Sequence, residues 1–356
     1  MRVLVACDWY LKYASAHALA LRRTGTKVLF LCRTHHREFG GSAEEYQNVL
    51  GRLRESGADL LLLPGRISSP RSMMLLPKLR RAIRTWGPDL VHAQENEDPR
   101  LFALTRGYPS VITIHDPVPH LGAPTLGISS RAVDWLWLRS VDRVILHAES
   151  LQRSLNGRVP AQRVAVIPHG TDVAATPLPR PAEPAVVLCG RLERYKGIRV
   201  LLEAMETVWS ARPEVKLLVF GQGSEAHLLT GDSRIESTAG YFPENELTGI
   251  LSRASVVALP YLTGTQSGVG AQAIGHGVPI VVSDVGALAE LAPDSSFVVT
   301  PGDRRSLADA LLRHLDDDVD TREAVLDHAK RKFDWSVTAT RSLELYADVL
   351  ARHRQT

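Results

Sequence analysis

The stretch AVVLCGRLERYKGIRVLLEAM (185–205) joins an apolar run to a longer amphipathic run through a single glycine, Gly190. This pattern predicts a buried strand, a turn and a helix. A glycine at such a turn lets the backbone approach a ligand, and Arg191 and Lys196 place two cations beside it, which suits a diphosphate. The simpler interpretation is that both cations are ordinary exposed residues.

The same unit of apolar strand and amphipathic helix recurs along the whole chain. The apolar runs are continuous rather than alternating, which is typical of parallel strands buried on both faces. Strands that alternate with helices predict an α/β fold built of doubly wound, Rossmann-like sheets. The predicted strands are VLVA (3–6), KVLFLC (27–32), ADLLLLP (58–64), DLVHA (89–93), SVITIHD (110–116), DRVILHA (142–148), AVVLCG (185–190), VKLLVFG (215–221), SVVALP (255–260), PIVVSD (279–284) and SFVVT (296–300).

A proline-rich segment, TPLPRPAEP (176–184), divides the strands into two groups and predicts a stiff linker. The chain is therefore divided into an N-terminal Rossmann-like domain (1–172), a hinge (173–184), a C-terminal Rossmann-like domain (185–330) and a final helix (331–356). No strand follows this helix, so we expect it to pack back on the first domain. The residues predicted to share its apolar face are Phe333, Trp335, Leu343, Tyr346 and Leu350.

The composition and charge of the chain are those of a globular protein. With 356 residues, 44% of them hydrophobic and a net charge of +3, the chain has an ordinary globular composition. The basic excess lies in the first half, which indicates either an anionic partner there or a solvated basic surface. MRVLVACDWY (1–10) is interpreted as a strand rather than a signal peptide, and the three cysteines as reduced core thiols, so a cytoplasmic protein is expected.

Three further segments of the second half are candidates for a nucleotide pocket. VKLLVFGQGSE (215–225) ends its strand in Gly221 and Gly223, which either line a pocket or form a tight loop. Tyr241 and Phe242 follow a short strand and could hold a base or simply pack the loop. In YLTGTQSGVGAQAIGHG (261–277) a loop of small residues precedes a helix predicted over 271–277. The amides of Gly268, Val269 and Gly270 would form an anion site at that helix N-terminus.

Taken in order, GRLxxxKG, FGxGxE, GYFPxxEL and SGVG…GVPIVVSDVG resemble the donor domain of the GT-B glycosyltransferases, in particular the retaining family 4, across about 185–290. VIPHGTD (166–172) and FDWS (333–336) are similar to that family's hinge and closing helix. The resemblance implies two Rossmann-like domains that face a central cleft. It also implies transfer of a sugar, with retention, from a UDP- or GDP-sugar to a hydroxyl acceptor in bacterial glycolipid, polysaccharide or natural-product glycosylation.

The sequence departs from the family where two glutamates usually lie eight positions apart, because Gly264 and Gln272 stand there. The departure puts in doubt how the donor sugar is gripped and whether the chain is active. In the variant that this sequence resembles, Thr265, Gln266 and the amides after Ser267 face the donor, and Gln272 can bond ribose hydroxyls. The donor-binding set is therefore Gly190, Gly221, Gly223, Tyr241, Phe242, Thr265, Gln266, Ser267, Gly268, Val269, Gly270 and Gln272.

The catalytic candidates are His115, which follows a strand end where the family keeps a histidine, and the cations Arg191 and Lys196. The alternative for His115 is a turn histidine that satisfies local backbone groups. Acceptor-side candidates are Asp8, Trp9, Tyr10 and His120, with HHREFGG (35–41) as a further segment. The polar cluster Gln94, Glu95, Glu97 and Asp98 either contacts the acceptor or forms a solvated loop, and the loop is favoured. No HxxxH or CxxC spacing is present, so neither a metal nor a cofactor is expected, the nucleotide sugar being a substrate.

Partners and rival functions complete the predictions. Residues 71–86 form a basic amphipathic segment, which predicts either peripheral contact with the inner face of the cell membrane or a helix that covers the sheet. Nucleic-acid binding is not expected, because the basic residues do not interleave with aromatics in a recognisable module. Two other functions stay open: a nucleotide-sugar epimerase or hydrolase on the same fold, and a non-catalytic partner-binding protein.

Overall fold

A computed structural model describes residues 1–34, 38, 42–65, 70–95, 98–117, 128–240, 242 and 244–355. The chain forms two compact units. Of the described residues, the first unit comprises those of 1–117, 128–168 and 335–355, and the second comprises those of 169–334.

The first unit is built on a parallel sheet of seven strands with the order β3-β2-β1-β4-β5-β6-β7. This is a doubly wound arrangement, in which the strand order reverses between β1 and β4. The strands are β1 (Arg2–Cys7), β2 (Lys27–Arg33), β3 (Asp59–Leu63), β4 (Leu90–Gln94), β5 (Ser110–Thr113), β6 (Arg143–Leu146) and β7 (Val164–Val166). Its first six helices are α1 (Leu11–Arg23), α2 (Ala43–Glu55), α3 (Pro70–Met74), α4 (Leu76–Trp86), α5 (Pro99–Thr105) and α6 (Ile128–Ser140).

Strand β1 shows why the apolar runs are continuous. Val3 and Val5 belong to the core on one face of the sheet, together with buried residues of α1 and α2. Leu4 and Ala6 belong to the core on the other face, together with Ile83 of α4. Because both faces are covered by helices, every position of the strand favours an apolar side chain.

The second unit repeats this plan with six parallel strands in the order β10-β9-β8-β11-β12-β13. The strands are β8 (Ala185–Cys189), β9 (Lys216–Phe220), β10 (Ile235–Thr238), β11 (Val256–Leu259), β12 (Ile280–Ser283) and β13 (Val298–Val299). The helices are α7 (Ile198–Ala211), α8 (Glu244–Leu251), α9 (Gly268–Gly275), α10 (Arg304–His314) and α11 (Val319–Lys332). The predicted two-domain α/β architecture is confirmed.

The segment predicted as a hinge (173–184) lies within the second unit, because the units divide at 168/169 and at 334/335. Its backbone is fixed there: the Ala174 amide donates to the Gly275 carbonyl at 2.8 Å, and the Leu178 amide donates to the His276 carbonyl at 2.8 Å. These two hydrogen bonds hold the segment against the C-terminal end of α9.

The last helix, α12 (Trp335–His353), belongs to the first unit. Trp335 and Tyr346 lie in the core of that unit with α1 and α2, and Leu343 and Leu350 pack against the same core. Phe333 was expected on the same face and is not: it precedes the helix and is buried in the second unit's core. Two aromatic residues only two positions apart thus anchor the chain in different units.

The basic segment 71–86 forms α3 and α4, and Pro77 lies in the first turn of α4, where its missing amide is not needed. Pro77 therefore starts a helix rather than interrupting one. Within the part of the chain that the structure describes, no helix is both long and apolar enough to span a membrane.

Candidate active site

The strand order of the second sheet reverses between β8 and β11, and ligands of such folds bind beyond the carboxyl ends of the strands at this point. The chain leaves β8 at Gly190 and leaves β11 at Tyr261, after Pro260. The topology therefore brings the glycine turn of 185–205 and the start of 261–277 to the same edge of the sheet.

Lys196 ends a single 3-10 turn, Arg194–Lys196, which follows Gly190. Only 9% of its surface is exposed. Its ammonium donates to the Tyr261 hydroxyl, and the Nζ atom lies 3.9 Å from the centroid of that ring. No carboxylate of the described residues forms an ion pair with Lys196. Burial, with the nearby Arg191 charge, lowers the pKa of Lys196 to about 8.

Helix α9 begins at Gly268, three residues before the predicted start, because Ser267 caps it. The Ser267 hydroxyl accepts a hydrogen bond from the Gly270 amide at 3.2 Å. This amide was predicted to be free for an anion, and it is not. The first intrahelical bond runs from the Ala271 amide to the Ser267 carbonyl at 3.0 Å. The amides of Gly268 and Val269 therefore have no acceptor within the helix and lie at the positive end of its dipole, a position that favours an anion.

One hydroxyl joins these two features. The Tyr261 hydroxyl lies 2.9 Å from Ser267 Oγ and also accepts a hydrogen bond from the Lys196 ammonium. The buried cation and the capped helix N-terminus are thus parts of one hydrogen-bonded assembly. Sequence reasoning did not identify Tyr261, although its position directly after a predicted strand end was a usable signal.

Gly221 and Gly223 have a packing role that the sequence did not reveal. A Cβ atom on Gly221 would lie 1.8 Å from the Gly190 carbonyl oxygen, and one on Gly223 would lie 2.4 Å from the Leu192 carbonyl oxygen. The turns after β8 and β9 therefore touch backbone to backbone. The Leu192 amide also donates to the Gln222 carbonyl at 2.8 Å.

The other donor-side candidates differ in how deeply they are buried. Thr265 is buried and its carbonyl accepts the Ala287 amide at 2.7 Å, whereas Gln266, Val269 and Gln272 are half-buried. Arg191 is exposed, with its guanidinium 5.9 Å from the Tyr195 ring centroid.

Two aromatic candidates lie on the next loop. Phe242 packs edge-on against Phe220 with ring centroids 5.7 Å apart, as the loop-packing alternative expects. Tyr241 lies outside the described residues.

In the first unit, His115 is fully buried beyond the end of β5. Its Nε2 lies 3.0 Å from Gln94 Oε1, and its Nδ1 lies 3.1 Å from His147 Nε2. Tyr10 stacks on its ring, with centroids 4.1 Å apart. The ring nitrogens of His115 therefore face inward to other side chains, and not only to local backbone groups as the turn-histidine alternative expects.

Carboxylates surround this histidine. The Tyr10 hydroxyl donates to Asp116 at 2.9 Å, and Glu95 accepts the amides of His115 at 2.8 Å and of Asp116 at 3.2 Å. Burial, together with the Asp116 charge, raises the pKa of Glu95 to about 8. Tyr10 takes up a left-handed conformation (φ 56°), which is rare for a side chain of this size.

The remaining acceptor-side candidates are only partly described. Asp8 is buried and Trp9 is 45% exposed. His120 lies outside the described residues, as does 35–41 apart from Glu38, which accepts the Leu11 amide at the start of α1.

The solvated loop expected at 94–98 is contradicted at both of its described ends, and Glu97 lies outside the described residues. Gln94 and Asp98 are fully buried, and Asp98 pairs with Arg100 at 2.6 Å. Gln94 and His147 were both missed as members of the His115 cluster. His147 could have been found, because it is the sixth residue of its predicted strand, DRVILHA (142–148), as His115 is of SVITIHD (110–116).

Two family models match, and together they cover most of the chain. The model of Glycosyltransferase Family 4 matches residues 12–175, and that of Glycosyl transferases group 1 matches residues 183–317. Among curated relatives, a glycogen synthase of Mycobacterium tuberculosis is 28% identical over 298 residues, which is 76% of this chain and 72% of the relative. A phosphatidyl-myo-inositol mannosyltransferase of the same species is 27% identical over 300 residues, 77% of this chain and 78% of that one.

Among solved structures, Anabaena HepE in complex with UDP and glucose superposes with a TM-score of 0.70 at 17% identity, covering 98% of this chain and all of that one. This likeness shows the fold. Matched in each half by glycosyltransferase models and built of two doubly wound units, the chain belongs to the group 1 glycosyltransferases of the GT-B fold.

Proposed function

We propose that the protein transfers a sugar from a UDP- or GDP-sugar to a hydroxyl acceptor, with retention at the anomeric carbon, and that the second unit holds the donor. The observation that carries this proposal is the buried Lys196 ammonium, joined through Tyr261 and Ser267 to the N-terminus of α9. A buried cation without a carboxylate partner among the described residues is costly unless a ligand supplies the opposite charge.

The chemistry of the leaving group fits this assembly. When the bond between the sugar and the diphosphate breaks, negative charge grows on the phosphate oxygens. Lys196, Arg191 and the amides of Gly268 and Val269 would stabilise that charge, and being fixed beforehand they need little reorganisation during the reaction. We assign Gly190, Thr265, Gln266 and Gln272 to the surrounding donor pocket.

The base and the stereochemistry rest on likeness. UDP is favoured because HepE was solved with UDP and glucose, and the fold of this chain follows that structure over nearly its full length. Retention follows from the resemblance to family 4. Hexosyl transfer is consistent with the names of the relatives, a glycogen synthase and a phosphatidyl-myo-inositol mannosyltransferase.

We assign the acceptor to the first unit, beyond the carboxyl ends of β1 and β5. Asp8, Trp9 and Tyr10 follow β1, and His115 follows β5. Trp9 offers an exposed ring against which a sugar or another flat apolar face can stack. Both ring nitrogens of His115 have protein partners, so its contribution is to fix Tyr10 above it, which in turn bonds Asp116.

A donor screen tests the proposal. The protein is incubated with UDP- and GDP-sugars, with and without a panel of lipid, saccharide, peptide and small-molecule hydroxyl acceptors, and products are identified by mass spectrometry and proton NMR. Acceptor-dependent release of UDP or GDP with a product of unchanged anomeric configuration is expected. Release without any acceptor indicates a hydrolase, an isomerised sugar indicates an epimerase, and inversion contradicts the retaining assignment.

A second proposal concerns the membrane. Met73 and Met74 are 50% and 78% exposed at the end of α3, so two large apolar side chains lie next to each other on the surface. Lys78 and Arg81 are exposed on the adjoining α4, and no acidic residue lies in 70–88. Apolar tips beside an unbalanced basic surface fit an anionic lipid surface.

Vesicle sedimentation tests this contact. The protein should pellet with vesicles that contain phosphatidylglycerol and stay in the supernatant with pure phosphatidylcholine. The double substitution Met73→Ser and Met74→Ser should weaken pelleting without lowering the melting temperature. Equal binding to both vesicle types, or none to either, would contradict the proposal.

A further inference from the structure

The hydrogen bonds around Lys196 have a fixed direction. An ammonium can only donate, so the Tyr261 hydroxyl accepts from Lys196 and must donate its own hydrogen elsewhere. The Ser267 hydroxyl, 2.9 Å away, receives it and also accepts the Gly270 amide. With two hydrogens already accepted, Ser267 has its own hydrogen left to donate.

Among the described residues, no carboxylate forms an ion pair with Lys196. The titratable groups that act on it from the strand and turn before it are Cys189, Arg191 and Tyr195, and its hydrogen-bond partner on the facing segment is Tyr261. Burial raises the pKa of the Cys189 thiol to about 11 and also raises that of Tyr261, so both are neutral near pH 7. Arg191 adds a second positive charge. The carboxylate of the same turn, Glu193, accepts from the Ser224 hydroxyl at 2.6 Å and forms no ion pair with Lys196.

We propose that binding of a nucleoside diphosphate to this site is coupled to uptake of a proton by Lys196, and that Tyr261 is the positioning residue that holds Lys196 for it. This inference rests on the proposed function, since it concerns the same donor site. The step forms one N–H bond on the Lys196 amine, and the proton comes from solvent buffer. The diphosphate then supplies the counter-charge that the resting site lacks.

The size of the effect follows from the acid–base behaviour of Lys196. Its pKa is about 8 in the empty site. A bound diphosphate stabilises the ammonium and raises this pKa. Lys196 should therefore take up about three-quarters of a proton on binding at pH 8.5 and almost none at pH 6.5. The apparent affinity should fall about tenfold per pH unit once the pH is well above 8.

Calorimetry measures the proton directly. UDP is titrated into the full-length protein at pH 8.5 in two buffers of different ionisation enthalpy, and again at pH 6.5. The difference in heat between the buffers gives the protons taken up per UDP bound. At pH 8.5 the phosphates of UDP are fully ionised, so the nucleotide contributes none. GDP is titrated in parallel, in case the site favours guanine.

Two variants separate the roles. Lys196→Arg keeps the positive charge but does not titrate in this range, so UDP should bind with no buffer-dependent heat. Tyr261→Phe keeps the ring and removes the hydroxyl that accepts from Lys196. Because the ammonium loses this acceptor, UDP affinity should fall several-fold at pH 6.5, and proton uptake at pH 7.5 should rise above the wild-type value. Circular dichroism melting checks that each variant is folded.

The outcomes are distinguishable. Binding of UDP to the wild type with equal heat in both buffers at pH 8.5 would overturn the proton coupling and leave the proposed function intact. Tyr261→Phe that binds like the wild type at every pH would overturn the role of Tyr261. A folded wild type that binds neither nucleotide at pH 6.5 would instead overturn the proposed function itself.

Discussion

His147 Nε2 lies 3.1 Å from His115 Nδ1, and the Ile167 carbonyl lies 3.0 Å from the other nitrogen of His147. A carbonyl only accepts, so Nδ1 of His147 carries the hydrogen and Nε2 is the acceptor. The backbone carbonyl of Ile167 thus sets the tautomer of His147 and leaves its Nε2 as an acceptor that faces His115.

Three buried histidines of the first unit, His17, His92 and His147, should make this unit less stable in acid. Burial lowers the pKa of His17 to about 3, that of His147 to about 4, and that of His92 well below its usual value. The unfolded chain binds these protons near pH 6.5, whereas the folded chain does not. Stability is therefore present above pH 6.5 and is lost as the pH falls, by roughly 4 kcal/mol per pH unit at pH 5 for three such groups.

Urea unfolding at pH 7.0, 6.0 and 5.0 measures this loss. Replacing His17 with Asn should flatten the dependence, because one proton is no longer taken up on unfolding. The matched control is His227→Asn on the surface of the second unit, which should leave the slope unchanged. A wild type equally stable at pH 7 and pH 5 would show that these histidines are not buried as neutral groups.

Lys196 predicts a conflict between stability and binding. Replacing it with Met removes a buried charge and keeps the volume, so the free energy of unfolding at pH 7 should rise by about 3 kcal/mol. The pKa of Lys196 is lowered on folding, to about 8. The cost is therefore present below pH 8 and disappears as the pH rises toward 10.5. UDP affinity should fall at the same time.

Thermal and urea unfolding of Lys196→Met at pH 7 and pH 10 check this, with the exposed Lys330→Met as control. The stability gap between variant and wild type should shrink at pH 10. A Lys196→Met protein less stable than the wild type at pH 7 would mean that the ammonium is well stabilised in the empty site.

Two glycines of α9 form a matched pair. A Cβ atom on Gly270 would lie 2.7 Å from Leu259 Cδ1 and 2.9 Å from Leu291 Cδ1, whereas one on Gly268 would meet no atom within 4 Å. Gly270→Ala should therefore lose about 1–3 kcal/mol of stability through overpacking. Gly268→Ala should fold normally but weaken UDP binding, since its methyl group would occupy the anion-binding end of the helix.

Melting temperatures and UDP titration of the two variants test this pair. Stability and affinity are expected to separate, with Gly270→Ala the less stable protein and Gly268→Ala the stable protein with weaker binding. Unchanged UDP affinity in Gly268→Ala would place the diphosphate away from this helix end.

Substitution of Tyr10 should affect the reaction with the acceptor and leave donor binding unchanged. Tyr10→Phe keeps the ring on His115 but removes the hydrogen bond to Asp116, which is worth about 1.5–3 kcal/mol for a charged partner. We expect kcat/KM for the acceptor to fall about tenfold or more while UDP affinity is unchanged. Tyr108→Phe, a partly buried tyrosine on the opposite face of the first sheet, is the control. A parallel loss of UDP affinity would contradict the assignment of Tyr10 to the acceptor.

The sheets could be predicted from sequence, because continuous apolar runs such as β1 have only one environment that suits them, burial on both faces. The glycine turn at Gly190 and the helix that follows Ser267 could also be predicted, because special backbone conformations need particular residues. The start of α9 was misplaced by three residues, since Gly268 and Gly270 disfavour a helix and only the Ser267 cap fixes where it begins.

The partners within the site could not be predicted, because they depend on which strand ends become neighbours. Tyr261 and Lys196 are 65 residues apart in sequence, and they come into contact only because β8 pairs with β11. Likewise Gln94 was assigned to a solvated loop, since its polarity conceals that β4 and β5 pair and bring it to His115. Sequence patterns report the environment of a residue better than the identity of its neighbours.

The most direct test of the donor site is a crystal structure of the protein with UDP. We expect the diphosphate to lie beyond β8 and β11, with its oxygens within hydrogen-bond distance of Lys196 Nζ, the Ser267 hydroxyl and the amides of Gly268 and Val269. A diphosphate bound elsewhere in the molecule, with Lys196 contacting only Tyr261, would contradict it.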